Sequence, residues 1–185
     1  PVIAAVAEGL AGLAAPLVLD PVMVATSGDA LLAPSAVAAL VAQLFPLATV
    51  LTPNAHEAAH LLGRPPLRTL DDARAAAGAL AALAPRAAIL VKGAHLEGAL
   101  SVDVLRLPGG ELHTYALPRL ATPHTHGTGC TLSAAIAARL ALGHALPEAV
   151  ALAKAYVHAA IAAAPGLGGG HGPLRHAIPL PRAGG

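Results

Sequence analysis

Charge, aromatic rings and cysteine are all scarce in this sequence. Of its 185 residues 11% are charged and 2% aromatic, there is no tryptophan, and the single cysteine is Cys130. So little charge excludes a disordered or polyelectrolyte chain, which stays unfolded through high net charge and few apolar groups. With 11 Lys and Arg against 10 Asp and Glu the net charge is +1, too small for the basic face that nucleic acid recruits. One cysteine excludes an intrachain disulfide framework and suits a reducing compartment, so Cys130 is read for its chemistry. An uninterrupted membrane span is missing too. The longest uncharged stretch, Ala30 to Ala55, is cut by Pro34, Pro46 and Pro53 and carries Gln43 and Asn54, which lipid cannot satisfy. The first residues hold Glu8 and no basic n-region, which makes a poor signal peptide. The expectation is a soluble, cytoplasmic protein with neither a nucleic-acid nor a membrane partner.

What the chain has in quantity is small apolar side chains. It is 56% hydrophobic, with 48 alanines, 19 glycines and 17 prolines, and its mean hydropathy is +0.67. This length and composition suit one medium domain with a large core.

Short apolar runs alternate with helical stretches. LVLD (17–20), TVLT (49–52) and AAILVKG (87–93) read as buried strands. Helices are expected over 2–13, from Pro34 to about Leu44, over 55–62, from Thr69 to about Leu83, and over about 130–142 and 147–164. Thr69 and Asp72 have the spacing of a capping box. LSVDVLRL and ELHTYAL, separated by Pro108, Gly109 and Gly110, read as a β-hairpin. Continuous apolar strands alternating with helices indicate a mainly parallel sheet covered on both faces. Residues from about 165 to 185 are Gly- and Pro-rich. Within them Gly168, Gly169 and Gly170 before His171, Gly172 and Pro173 fit a flexible tail or a loop closing over a nucleotide. Neither a repeat nor a second domain is evident.

Chemistry concentrates at the strand ends. Asp20 closes the first strand, Thr52 the second, followed by Asn54 and Glu57, and Lys92 closes the third before Gly93. Ligands of open α/β sheets bind at this rim. Gly127, Thr128 and Gly129 precede an amphipathic helix, whose free N–H groups and positive dipole end make an anion site. The bland alternative is a turn with a threonine cap. Cys130 lies in the first helical turn, where the dipole favours a thiolate; its bland alternative is a small buried hydrophobe. Together these groups offer two carboxylates for hydrated Mg²⁺, and a lysine and a helix N-terminus for phosphates. His56, Glu57 and His60 also spell H-E-x-x-H, a zinc-protease pattern. A two-turn helix, Gly63 and two prolines after it, and the lack of a third ligand argue against zinc. His124 and His126 read as loop groups.

Six blocks then carry a resemblance: VLDPVMVATSGDALL, LTPNAHEAAHLLG, ILVKGAHL, HGTGCTLSAAIAA, AKAYVHAAI and GGGHGPLRH. In this order and spacing the chain resembles the hydroxymethylpyrimidine/phosphomethylpyrimidine kinases of the ribokinase-like superfamily. The resemblance implies a three-layer α/β/α sandwich with a mainly parallel central sheet and a β-hairpin. It implies ATP- and Mg²⁺-dependent phosphorylation of 4-amino-5-hydroxymethyl-2-methylpyrimidine and then of its monophosphate, for thiamine diphosphate synthesis. By the same carry-over Gly127, Thr128 and Gly129 are the anion hole, and Lys92 meets the phosphates. Asp20 and Glu57 organise Mg²⁺ through water, while Lys154 and Asn54 lie near the nucleotide. Val22 touches the pyrimidine. Cys130 stands where many relatives have an aspartate base. The resemblance allows a homodimer.

Family members are longer at the N-terminus, so residues 1–185 are expected to be a partial domain lacking the first third and part of the pyrimidine pocket. A fragment is the favoured origin, ahead of a truncated non-catalytic relative and a subunit completed by another chain. The alternatives for activity are a pyridoxine or pyridoxal kinase and an inactive nucleotide-binding fragment.

Overall fold

Strands form where leucine and β-branched side chains run without a break, because a strand covered on both faces has no solvent side for polar residues. The computed structural model describes residues 1–23, 31–93 and 96–178, and it places β1 (Val18–Leu19), β2 (Val50–Leu51) and β3 (Ala88–Val91) in the three apolar runs. These strands pair in parallel, Val18 beside Val50 and Val50 beside Ala88. β4 (Leu100–Arg106) and β5 (Leu112–Pro118) form the expected hairpin, antiparallel to each other and to β3. The sheet order is β1-β2-β3-β4-β5. β1 and β2 are shorter than the sequence runs, but the ladder continues past them: the Thr49 and Thr52 N–H groups donate to the Leu17 and Leu19 carbonyls.

Six helices flank the sheet among the described residues: α1 (Val2–Leu10), α2 (Pro34–Gln43), α3 (Ala55–Leu62), α4 (Leu70–Leu80), α5 (Thr128–Ala141) and α6 (Leu146–Ala162). α1 stops three residues short of expectation, with Gly12 at φ 81° just beyond its end. α4 gives way to turns after Leu80 rather than Leu83. α5 begins two residues early, because Gly127 at φ 83° swings the chain into the helix. Thr69 and Asp72 make the capping box that their spacing indicated. No helix among the described residues is long and apolar enough to cross a membrane.

Alternation along the strands divides the core in two. Leu51, Ile89, Val91 and Val104 point to one face, where they meet Leu40, Phe45, Ala58, Ala73, Ala77 and Leu80. Val50, Ala88, Leu90 and Leu105 point to the other, against Leu132 and Ile136 of α5 and Val150, Ala153 and Val157 of α6. Three layers result, α/β/α. Fully buried alanines on α3 and α4 let those helices lie close to the sheet, and a core almost without aromatic rings fills by near approach instead of bulk.

Residues 165–178 are fastened down. His126 bridges to Pro173, its N–H donates to the Gly172 carbonyl, and the Tyr156 hydroxyl donates to the His176 carbonyl at 2.8 Å. Gly172 lies so close to the His124 ring that a Cβ there would overlap Nδ1. The TSGD segment, the Ala94–His95 pair and residues 179–185 lie outside the described residues.

Candidate active site

Parallel strands deliver their C-terminal ends to one rim, and there the two lysines of the chain begin to separate in role. Lys92, just after β3, places Nζ 2.7 Å from Asp20 Oδ1, just after β1. The Thr52 hydroxyl, after β2, donates to the same oxygen at 3.2 Å and lies 3.1 Å from Ser133 Oγ of α5. Ser133 in turn donates to the Gly129 carbonyl at 3.1 Å. Thr52 and Ser133, both buried, therefore tie the first turn of α5 to the strand ends. Asp20 Oδ2 is buried and has no hydrogen-bond partner among the described residues. A carboxylate oxygen out of water without a donor is costly, so this atom is a place for a cation or a donor to dock.

The first turn of α5 closes over that oxygen. A Cβ added at Gly129 would stand 3.2 Å from Lys92 Nζ and 3.4 Å from Asp20 Oδ2, so the absence of a side chain is what permits the close approach. Gly127 supplies the left-handed backbone at the N-cap, and no side chain caps the helix. The threonine cap of the bland reading is not formed: Thr128 Oγ1 donates backwards to the Thr125 carbonyl at 2.6 Å. The N-terminal end of the helix, with its partial positive charge, is thus held beside a lysine and left uncapped by side chains. Cys130 is exposed in the same turn and borders an open groove of about 400 Å³ lined by Thr131, Ala134, Tyr156 and His176.

Glu57 is buried beside this pair. Burial raises its pKa above the ordinary 4.5; the Asn54 N–H and the Lys92 charge pull it down, the Asp20 charge pushes it up, and the Met23 N–H pulls it down again. Asn54 and Glu57 form a capping box on α3: Asn54 Oδ1 accepts from the His56 and Glu57 N–H groups, and Glu57 Oε2 accepts from the Asn54 N–H at 2.7 Å. Asn54 also bridges to Lys92 across the sheet. This box removes the zinc pattern: Glu57 faces the core while His56 and His60 are exposed. Among the described residues no three His, Cys, Asp or Glu side chains gather where they could hold a metal. Two carboxylates, one with an unsatisfied buried oxygen, do fit an ion that keeps most of its own water, as Mg²⁺ does.

The expected site residues therefore fall into groups. Asp20, Lys92, Gly129 and Glu57 come together, with Gly127, Thr128 and Cys130 on the turn above. Val22 is partly exposed two residues from Asp20, and its N–H donates to the Asp20 carbonyl. Lys154 is buried on α6, with Nζ 2.7 Å from Asp103 Oδ2 on β4. Asp103 Oδ1 accepts the Gly93 N–H at 2.8 Å. Asp103 and Ser133 went unnoticed in the sequence. The signal for Asp103 was Lys154 itself, which shares a helix face with Val150 and Val157 and so needed a buried anion.

Comparison with known proteins gives these observations a context. A family model described as phosphomethylpyrimidine kinase matches residues 1–175. A hydroxymethylpyrimidine/phosphomethylpyrimidine kinase of Rhizobium meliloti is 52% identical over 184 residues, covering 94% of this chain and 65% of that protein. A pyridoxal kinase of Bacillus subtilis, solved as an ADP complex, superposes with a TM-score of 0.83 at 36% identity, over 95% of this chain and 64% of that one. The phosphomethylpyrimidine kinase of Clostridium difficile gives 0.70 at 37% identity, over 86% and 64%. The chain thus spans a little less than two thirds of the length of these proteins.

Proposed function

Because this chain belongs to the phosphomethylpyrimidine kinase family, we propose that its site transfers the γ-phosphoryl group of ATP to the hydroxymethyl oxygen of a pyrimidine alcohol, and then to its monophosphate. The observation that carries this reading is the Asp20 carboxylate, whose Oδ1 pairs with Lys92 while its buried Oδ2 has no hydrogen-bond partner among the described residues, beneath an uncapped helix N-terminus. Phosphoryl transfer asks for positioning and charge neutralisation more than for covalent chemistry, and that is what these groups offer. Lys92 and the amides of the 127–129 turn hold the phosphates. Asp20 and Glu57 hold Mg²⁺ through water, and the bound ion offsets phosphate charge. Val22 lines the pyrimidine side. The hydroxymethyl oxygen forms the new bond to phosphorus, the bond from phosphorus to the β,γ-bridging oxygen breaks, ADP leaves, and Cys130 takes the hydroxyl proton. A cytoplasmic enzyme, with a homodimer as its assembly, belongs to the same reading.

A second reading, pyridoxal phosphorylation, is favoured by the higher TM-score to a pyridoxal kinase. The 52% identity to a pyrimidine kinase outweighs it. The test offers both alcohols in competition with ATP and Mg²⁺ and follows the phosphorylated products; a preference for pyridoxal overturns the first reading, and ADP binding without turnover of either marks a nucleotide-binding remnant. Cys130→Ala is expected to lower turnover by about 100-fold or more while ADP affinity, measured by calorimetry, stays unchanged. Unchanged turnover removes the thiol from the mechanism.

A further inference from the structure

Two carbonyls of the glycine turn that opens α5 are held in the same way from opposite flanks. On the inner flank Ser133 Oγ donates to the Gly129 carbonyl at 3.1 Å and is braced by Thr52 of the strand ends. On the outer flank Thr131 Oγ1 donates to the Gly127 carbonyl at 2.8 Å, and the Thr131 N–H donates to the same oxygen at 2.9 Å. Each hydroxyl reaches back four residues along the helix, and such a bond holds its carbonyl firmly only where something else fixes the hydroxyl. The brace for Thr131 is His176, whose Nε2 lies 3.0 Å from Oγ1. A threonine hydroxyl has one proton, which here goes to Gly127, so Oγ1 accepts from His176 and the imidazole proton sits on Nε2.

The backbone of His176 is itself anchored. The Tyr156 hydroxyl of α6 donates to its carbonyl at 2.8 Å, the Arg175 N–H donates to the Ala160 carbonyl at 3.1 Å, and Leu174 is buried. The C-terminal segment thus carries the rigidity of α6 across to the first turn of α5. We propose that His176 is a positioning residue: through Thr131 it fixes the Gly127 carbonyl, and with it the direction of the N–H groups of the 127–129 turn. The link to phosphate rests on the proposed kinase reading; the link to the turn does not. ADP affinity by calorimetry reads the first, and NMR reads the second through the exchange of the Thr131 amide and the nitrogen shifts of the His176 ring.

His176→Ala is expected to weaken ADP binding about fivefold, the scale of one neutral hydrogen bond, and His176→Gln, whose amide nitrogen can donate from the place of Nε2, to bind ADP within about twofold of the unaltered protein. In a Thr131→Val background, which keeps the β-branch and removes the hydroxyl, His176→Ala is expected to change ADP affinity by less than about twofold. An equal loss in both backgrounds overturns the proposal, because a ring that acts on the ligand directly is missed whatever stands at 131. Unchanged affinity in His176→Ala, or a loss as large in His176→Gln, overturns it too. In the NMR arm the neutral ring is expected to carry its proton on Nε2, and the Thr131 amide to exchange at least about threefold faster in His176→Ala. A proton on Nδ1, or unchanged exchange, overturns the proposal even if ADP does not bind. Faster exchange in a protein that binds no ADP upholds the link to the turn and counts against the kinase reading alone.

Discussion

Lys92 with Asp20 and Lys154 with Asp103 are ion pairs of the same length, 2.7 Å, yet their carboxylates are used differently. In the inner pair both Asp103 oxygens are taken, one by Lys154 and one by the Gly93 amide. In the outer pair Oδ1 of Asp20 accepts from both Lys92 and Thr52, while Oδ2 accepts from none of the described residues. The inner pair is a closed circuit built into packing between β4 and α6. The outer pair is left incomplete beneath a helix N-terminus, with Glu57 beside it. Equal geometry thus serves two ends, and an unsatisfied atom is the better guide to a binding site than burial or distance.

The largest test of this contrast is stability. Lys154→Met should cost about 3–5 kcal/mol in chemical denaturation, the scale for stranding one charge of a buried pair, and Lys92→Met distinctly less, since Asp20 keeps Thr52 and lies at the rim. Equal losses would erase the distinction. Next in size is binding: Lys92→Met should weaken ADP by about 100-fold or more, in line with the loss of one preorganised donor to a charged group, measured by calorimetry on the folded variant. Smaller again is Ser133→Ala, which loosens the tie between Thr52 and the first turn of α5 and should cost about 1 kcal/mol, read from the same denaturation curves.

The smallest effect is a pH dependence confined to the outer pair. Burial raises the Glu57 pKa above 4.5, so the folded state holds this proton at pH values where the unfolded chain has released it. The stability that Glu57 contributes is therefore full below 4.5 and is lost as pH rises through the raised value. Relative to Glu57→Gln, the unaltered protein should lose stability across that window. Lys92 pulls this pKa down, so Lys92→Met should move the window to higher pH, whereas Lys154→Met should leave it in place; a shift with Lys154→Met would show that the two pairs are coupled.

Much of this arrangement was legible in the sequence because its signals are local. Unbroken apolar runs marked β1, β2 and β3, the Pro108-Gly109-Gly110 turn marked the hairpin, and Gly127 to Gly129 marked the entrance to a helix. The strand-end positions of Asp20 and Lys92 followed from the run boundaries. Asp103 was hidden because one acid inside LSVDVLRL looks like the solvent side of an alternating strand, and only the packing of α6 turns that face inward. The partnership of Asn54 with Glu57 was hidden by the histidines around it, which made an N-terminal cap look like a metal pattern. The role of the Gly-rich residues near 170 could not be read either, since their attachment to 123–126 is set by long-range contacts and not by composition.

Lysine supplies a final consequence. The chain has only two, Lys92 and Lys154, and both ammonium groups are engaged by carboxylates, with 11% and 9% of their side chains exposed. In the folded protein there is accordingly no freely presented lysine for amine-directed reagents, immobilisation chemistry or trypsin's lysine specificity. Acylation at Lys92 would record the opening of the rim and acylation at Lys154 the parting of β4 from α6, so a mass spectrum of timed labelling would give each motion its own clock.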